Sequence, residues 1–187
     1  MRIVGGYYKG RRYDGAIPDM IRPTTDNVRE SIFNILTNFI DFENLIVADI
    51  CAGTGFMGFE ALSRGAEKCY FFEKNRKAIE LIGIISEKLK IEKTQFDIIQ
   101  GSAEKKLIQI EVDKPKLELD LIFFDPPYSA GLFDSIISIL SNSKLVKKGS
   151  IFVIESSNLT NLKLNESWNI LQKKVYGSTN VLIAEKE

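Results

Sequence analysis

Asp125-Pro126-Pro127-Tyr128 is the stretch of this sequence best equipped for chemistry. The run before it, residues 119–124, is apolar and rich in β-branched and aromatic side chains apart from Asp120, so it reads as a buried strand. Proline has no N–H for a sheet ladder, and the strand must stop at Pro126. Asp125 is thereby delivered to the carboxyl end of a buried strand, where open α/β sheets place their ligands. Two prolines stiffen the backbone and leave its carbonyls without local N–H partners. A carboxylate and a carbonyl accept two hydrogen bonds from one amino group, and the Tyr128 ring can stack on a base. The four residues therefore suit an exocyclic NH2 on a flat heterocycle. Taken alone they equally describe a strand followed by a tight surface turn.

A second constellation lies upstream. Residues 45–51 read as the first buried strand, followed by Ala52-Gly53-Thr54-Gly55-Phe56-Met57-Gly58 and a helical stretch to Ser63. Glycines between a strand and a helix let the chain turn sharply and let a ligand approach, and the helix N-terminus favours a carboxylate or phosphate. The next strand, 68–72, ends at Glu73, placed to accept hydrogen bonds from both hydroxyls of a ribose. A glycine trio alone is weak. With an acid closing the second strand it points to a nucleoside-type cofactor.

These residues need a scaffold, and the remaining chain supplies one. Residues 1–22 read as an arm in which 2–4 and 9–13 pair across a glycine turn, with Tyr7, Tyr8 and Tyr13 interleaved among Arg and Lys in the manner of nucleic-acid contacts. Arg22-Pro23-Thr24-Thr25-Asp26 marks a helix start, and Val28, Ile32, Ile35, Leu36 and Phe39 recur as its apolar face. A helix over 78–89, a strand over 95–100, a helix from Glu104, a charged surface connection over 111–118, a helix faced by Leu132 to Leu140, and a strand over 150–155 follow. Residues 168–176 and 179–185 form a closing hairpin across Gly177-Ser178. The 187 residues suffice for one full core, here divided as 1–22 arm and 23–187 catalytic domain.

Composition narrows the chemistry. No histidine is present, so His-based triads and His-ligated metals are excluded, and proton transfer falls to carboxylates, tyrosine, lysine or water. Cys51 and Cys69 lack metal spacing and read as reduced core thiols. No apolar run reaches a membrane span and no signal pattern opens the chain, which points to the cytoplasm. The net charge is zero, but up to Arg29 six basic residues face three acidic ones, a modest excess suited to phosphates.

Alternating βα units ending in an antiparallel hairpin resemble the class I S-adenosylmethionine-dependent methyltransferase fold, which is Rossmann-like. The resemblance implies a mostly parallel seven-stranded sheet with an antiparallel last strand, helices on both faces and a small N-terminal β arm. More narrowly, three stretches resemble the RsmD family, bacterial enzymes that methylate the exocyclic N2 of one guanine in 16S ribosomal RNA. They are Arg2-Ile3-Val4-Gly5-Gly6 with Arg22 to Glu30, then Ala52 to Gly65, then Asp125 to Tyr128. The resemblance implies S-adenosylmethionine held by Asp49, Ala52, Gly53, Thr54, Gly55, Glu73, Lys74, Ser102, Ala103 and Asp125. Gly53 and Gly55 would meet its methionine end, Glu73 its ribose, and Ser102 with Ala103 its adenine. Ser102 stands where the family carries an amide or acid. Asp125, Pro126, Pro127 and Tyr128 would hold the target base. Arg2, Arg11, Arg12, Arg22, Thr24 and Arg29 are the expected RNA contacts. The implied partner is 16S ribosomal RNA within a small-subunit particle, met by a monomer without metal or membrane. The rival readings are an amino-methyltransferase acting on adenine N6 or cytosine N4 of DNA, a nicotinamide-dependent oxidoreductase, since glycines 53, 55 and 58 also fit G-x-G-x-x-G, and a non-catalytic nucleoside- or RNA-binding module.

Overall fold

A computed structural model describes residues 1–21, 23–126, 131–156 and 164–187. The strands β1 (Ile46–Ile50), β2 (Lys68–Glu73), β3 (Phe96–Gln100), β4 (Leu119–Phe124) and β5 (Val146–Ser156) pair in parallel, in the order β3-β2-β1-β4-β5. Parallel neighbours need crossovers. These are the helices α2 (Phe56–Ser63), α3 (Arg76–Leu89), α4 (Ala103–Asp113) and α5 (Phe133–Asn142). The closing hairpin is β6 (Trp168–Tyr176) and β7 (Thr179–Lys186), turning at Gly177 with φ +59°. β7 is antiparallel to both its neighbours and lies between β5 and β6, completing seven strands. The expected sheet is present, with its one reversed strand inside rather than at the edge.

Both faces of the sheet are covered, which is why its strands are near-continuous apolar runs. Alternate residues face opposite ways. Val47, Phe71, Leu121 and Phe123 pack under α1 (Asp26–Leu36), α2, α3 and the arm. Ala48, Phe72, Ile122 and Phe124 pack on α4 and α5. Asp120, the one acid in β4, accepts the Ile46 N–H at 2.7 Å and pairs with Lys147 at 2.7 Å.

Three local expectations are corrected. α1 begins as expected, with Thr25 accepting the Val28 N–H at 3.4 Å, but it ends at Leu36. Its buried face is Arg29, Ile32, Phe33 and Leu36, one step round from the expected stripe, and Phe39 is exposed beyond the helix. The charged connection is shorter than expected, because α4 runs on to Asp113.

The arm is a hairpin turn docked as part of the core. Arg2 bridges Arg12, and the Ile3 N–H donates to the Arg11 carbonyl at 2.9 Å. Ile3, Tyr8 and Tyr13 are buried. The Tyr8 N–H donates to Ser63 Oγ at 2.9 Å, and the Val4 N–H to Glu60 Oε2 at 2.8 Å. Gly6 has φ +73°, and a Cβ there would collide with the Ser63 carbonyl. Of the three arm tyrosines Tyr7 is 84% exposed and open to stacking, whereas Tyr8 and Tyr13 are buried, their hydroxyls donating to Gln95 Oε1 at 3.0 Å and to the Ala16 carbonyl at 3.2 Å.

Candidate active site

The carboxyl ends of the parallel strands open into one cleft of about 800 Å³, within the usual range for small-molecule sites. It sits where crossovers leave β1 and β4 in opposite directions, the switch point at which such sheets bind ligands. Asp49, Glu73, Asp125 and Glu155 line it from the ends of β1, β2, β4 and β5.

The glycine turn is built by division of labour. Cys51 enters it at φ +62°, a strained angle for a side chain with a Cβ, and its N–H is tied to the Phe72 carbonyl at 2.9 Å. Gly53 lines the cleft, and its N–H donates to Glu73 Oε2 at 2.9 Å. Gly55 has φ +73° and is buried; a Cβ there would press on Phe59, Phe71 and Ile82 at 3.1–3.3 Å. On its Cβ side Gly55 therefore answers to the turn and the core. Gly58 lets α2 lie close to β2, since a Cβ would collide with Phe71 and Cys69.

The carboxyls differ in environment. Glu73 accepts from Gly53, Lys74 and Asn75 N–H groups, which clamp it between the turn and α3. Asp49 accepts the Gly58 N–H at 3.0 Å. Burial pushes its carboxyl up to about 8; the Gly58 bond opposes that, and Asp125 and Glu73 add to it. Glu155, 4% exposed, is also raised to about 8, first by burial and then by Asp125, against a hydrogen bond from Thr24 Oγ1 at 3.4 Å.

Ala52, Thr54, Lys74, Ser102, Ala103 and Pro126 also line the cleft. Ser102 occupies the position before α4 but makes no side-chain cap bond to it. Pro127 and Tyr128, with Arg22, lie outside the described residues. Several lining groups had not been expected: Glu155, Met20 and Ile21 of the arm, and the Tyr176-Gly177-Ser178 turn. Glu155 had a readable signal, because like Glu73 it is an acid closing a buried strand. The arm thus forms a wall of the cleft as well as an outer surface.

The basic residues separate sharply. Arg29 is 0% exposed and cannot meet a phosphate. Its guanidinium donates to the Arg2 and Thr24 carbonyls and to Asp26, and lies 3.6 Å from Glu60. Arg11 is half-buried, donating to the Leu89 carbonyl at 2.6 Å at the end of α3 and lying over the Tyr8 ring. Arg12 is exposed, and Arg2 is exposed beside Asp26. Thr24 faces the cleft.

The family described as "Conserved hypothetical protein 95" matches residues 1–185. The chain belongs to this, the RsmD family. Among its relatives, "Ribosomal RNA small subunit methyltransferase D" of Haemophilus influenzae is 31% identical over 177 residues, covering 95% of this chain and 89% of that protein. "Putative rRNA methyltransferase YlbH" of Bacillus subtilis is 30% identical, covering 100% and 99%. The solved structure "Putative methyltransferase yhhF from Escherichia coli" superposes with a TM-score of 0.83 at 26% identity, covering 100% of this chain and 98% of that one. RsmD-family membership and the class I methyltransferase fold leave the oxidoreductase reading without support.

Proposed function

We propose that this protein transfers a methyl group from S-adenosylmethionine to the exocyclic N2 of a guanine in 16S ribosomal RNA of the small subunit. The observation that supports it most directly is the single cleft into which the glycine turn, Glu73 and Asp125 all open. The full-length relatives named as small-subunit RNA methyltransferases supply the substrate class.

The residues present fit the cofactor. Asp49 is raised to about 8, first by burial and then by the charges of Asp125 and Glu73, a cluster that a cationic ligand would relieve. Glu73 would take the ribose hydroxyls, Gly53 and Ala52 the amino-acid end, and Ser102 with Ala103 the adenine. When bound, S-adenosylmethionine supplies an electrophilic methyl on a sulfonium.

The chain's part is positioning. A guanine amine is a poor nucleophile because its lone pair is delocalised into the ring. Asp125 and the Pro126 carbonyl accept its two N–H groups and draw the nitrogen toward tetrahedral geometry. With the methyl donor bound, Asp125 or water would take the surplus proton from the nitrogen that accepts the methyl group. Orienting two bound reactants contributes roughly 7–11 kcal/mol in favourable cases. The guanine leaves its stack at a cost of a few kcal/mol, and stacking on Tyr128 offsets about 1–3 kcal/mol of that. Arg12, Arg2 and Tyr7 are the arm groups left to meet RNA. The setting is the cytoplasm, with a monomer docking on a small-subunit particle; among the described residues no helix is long and apolar enough to cross a membrane.

Labelled S-adenosylmethionine incubated with small-subunit RNA, assembled particles and DNA tests this reading. Label in N2-methylguanine, located by mass mapping, is the expected result. Label in DNA adenine or cytosine would establish the rival.

A further inference from the structure

Glu155 is the buried group of the cleft that the proposed reaction leaves without a task. β4 and β5 run parallel with Phe124 opposite Ile154. Asp125 and Glu155 are therefore the next residues on neighbouring strands, which lie about 4.8 Å apart. Both line the cleft. On its other side β5 is locked to β7, with Glu155 opposite Val181, and the Thr24 hydroxyl meets Oε1 from above α1. Strand pairing on both sides fixes the backbone beside Asp125, and the Thr24 hydroxyl orients the carboxyl, which recognition of a base edge requires.

We propose that Glu155 selects guanine by accepting its N1–H while Asp125 accepts from the N2 amine. This rests on the guanine-N2 reading above. Beside its amino group guanine presents a further N–H donor at N1. Adenine presents a lone pair at N1 beside its N6 amine, and cytosine a lone pair at N3 beside its N4 amine. Two adjacent carboxylates match the donor-donor edge and repel the donor-acceptor edges. The N–H donors of guanine also favour the ionised form of a carboxyl that burial otherwise keeps protonated near neutrality. Thr24 orients Glu155, which gives the Arg-Pro-Thr-Thr segment a task within the cleft.

The test replaces the mapped target guanine in ribosomal RNA with 2-aminopurine, which keeps the 2-amino group but bears a lone pair at N1. Methyl transfer to both RNAs is measured with wild-type protein and with Glu155→Gln, alongside calorimetric S-adenosylmethionine binding. Wild type should favour guanine on the order of 10- to 100-fold, the worth of one charged hydrogen bond. Glu155→Gln, whose amide can donate to N1, should lose most of that preference while S-adenosylmethionine still binds. Equal rates on the two RNAs with wild type, a result that needs no variant, would overturn the inference. So would a wild-type ratio in Glu155→Gln. Absence of any transfer to the guanine RNA by wild type would overturn the underlying reading, and this one with it.

Discussion

Replacing Glu60 should cost more stability than replacing any residue of the cleft. Its side chain is 0% exposed, on α2. One oxygen accepts the Val4 N–H at 2.8 Å and lies 3.6 Å from Arg29 Nε; the other accepts from Arg64 Nε at 2.9 Å. Arg29 is equally buried, and its Nε has no hydrogen-bond partner. Without Glu60, Arg29 is left with Asp26, which is 29% exposed, and Arg64 loses the carboxylate it pairs with. Breaking a buried pair from one side costs about 3–5 kcal/mol, because a buried charge is stranded. Glu60→Ala should therefore lose that much in urea unfolding followed by circular dichroism, a fall in Tm of roughly 10 °C. Glu60→Gln keeps an acceptor for Val4 and should lose about 2 kcal/mol. Adding Arg29→Met to Glu60→Ala removes the stranded cation and should restore part of the loss. If Glu60→Ala stays within about 1 kcal/mol of wild type, or the double variant is the least stable of all, the buried-pair reasoning fails.

Asp125→Ala should lower methyl transfer at least about 100-fold with S-adenosylmethionine binding retained; full turnover in that variant would refute its role. Asp49 and Glu155, raised to about 8, hold protons in the folded state that the unfolded chain releases near its ordinary carboxyl values. Their contribution is full below those ordinary values and is lost as pH rises toward about 8, by up to about 1.4 kcal/mol per pH unit for each group. S-adenosylmethionine binding at pH 7 should accordingly release protons, and titration calorimetry in buffers of different ionisation enthalpy would expose their absence. Gly58→Ala should destabilise by about 1–3 kcal/mol, whereas Gly83→Ala, with nothing within 4 Å of its Cβ, should stabilise by about 0.5–1 kcal/mol; thermal melts compare them. Arg12→Ala should weaken particle binding and its salt dependence without lowering Tm, while Arg29→Ala should lower Tm, so equal behaviour of the two in binding and melting would contradict their assigned places.

The sequence exposes those site residues whose strands end in a visible stop. Asp125 is announced by two prolines and Glu73 follows the glycine turn by one βα unit. Glu155 has the same position, an acid closing a buried strand, but the Ser156-Ser157-Asn158 that follows is a weaker stop than two prolines. The charge of Arg29 is legible, but its partner Glu60 lies 31 residues on and meets it only through packing of α1 on α2. The arm misleads for the same reason: alternating aromatic and basic residues fit an RNA surface and a docked hairpin equally, and burial of Tyr8 depends on Ser63 and Gln95, far along the chain. For Gly55 the sequence reports a missing Cβ, and only the fold reports that the gap faces Phe59, Phe71 and Ile82.

The place of β7 bears on how the molecule comes together during synthesis. The strand latest in the chain fills a gap between two made earlier, with Leu182 and Ile183 buried. Until residues 179–186 emerge from the ribosome, β5 has an unpaired edge and β6 has nowhere to dock. Glu155, whose strand waits for that closure, is then among the last parts of the cleft to become rigid, so a nascent chain stays inactive until residues 179–186 have joined the sheet.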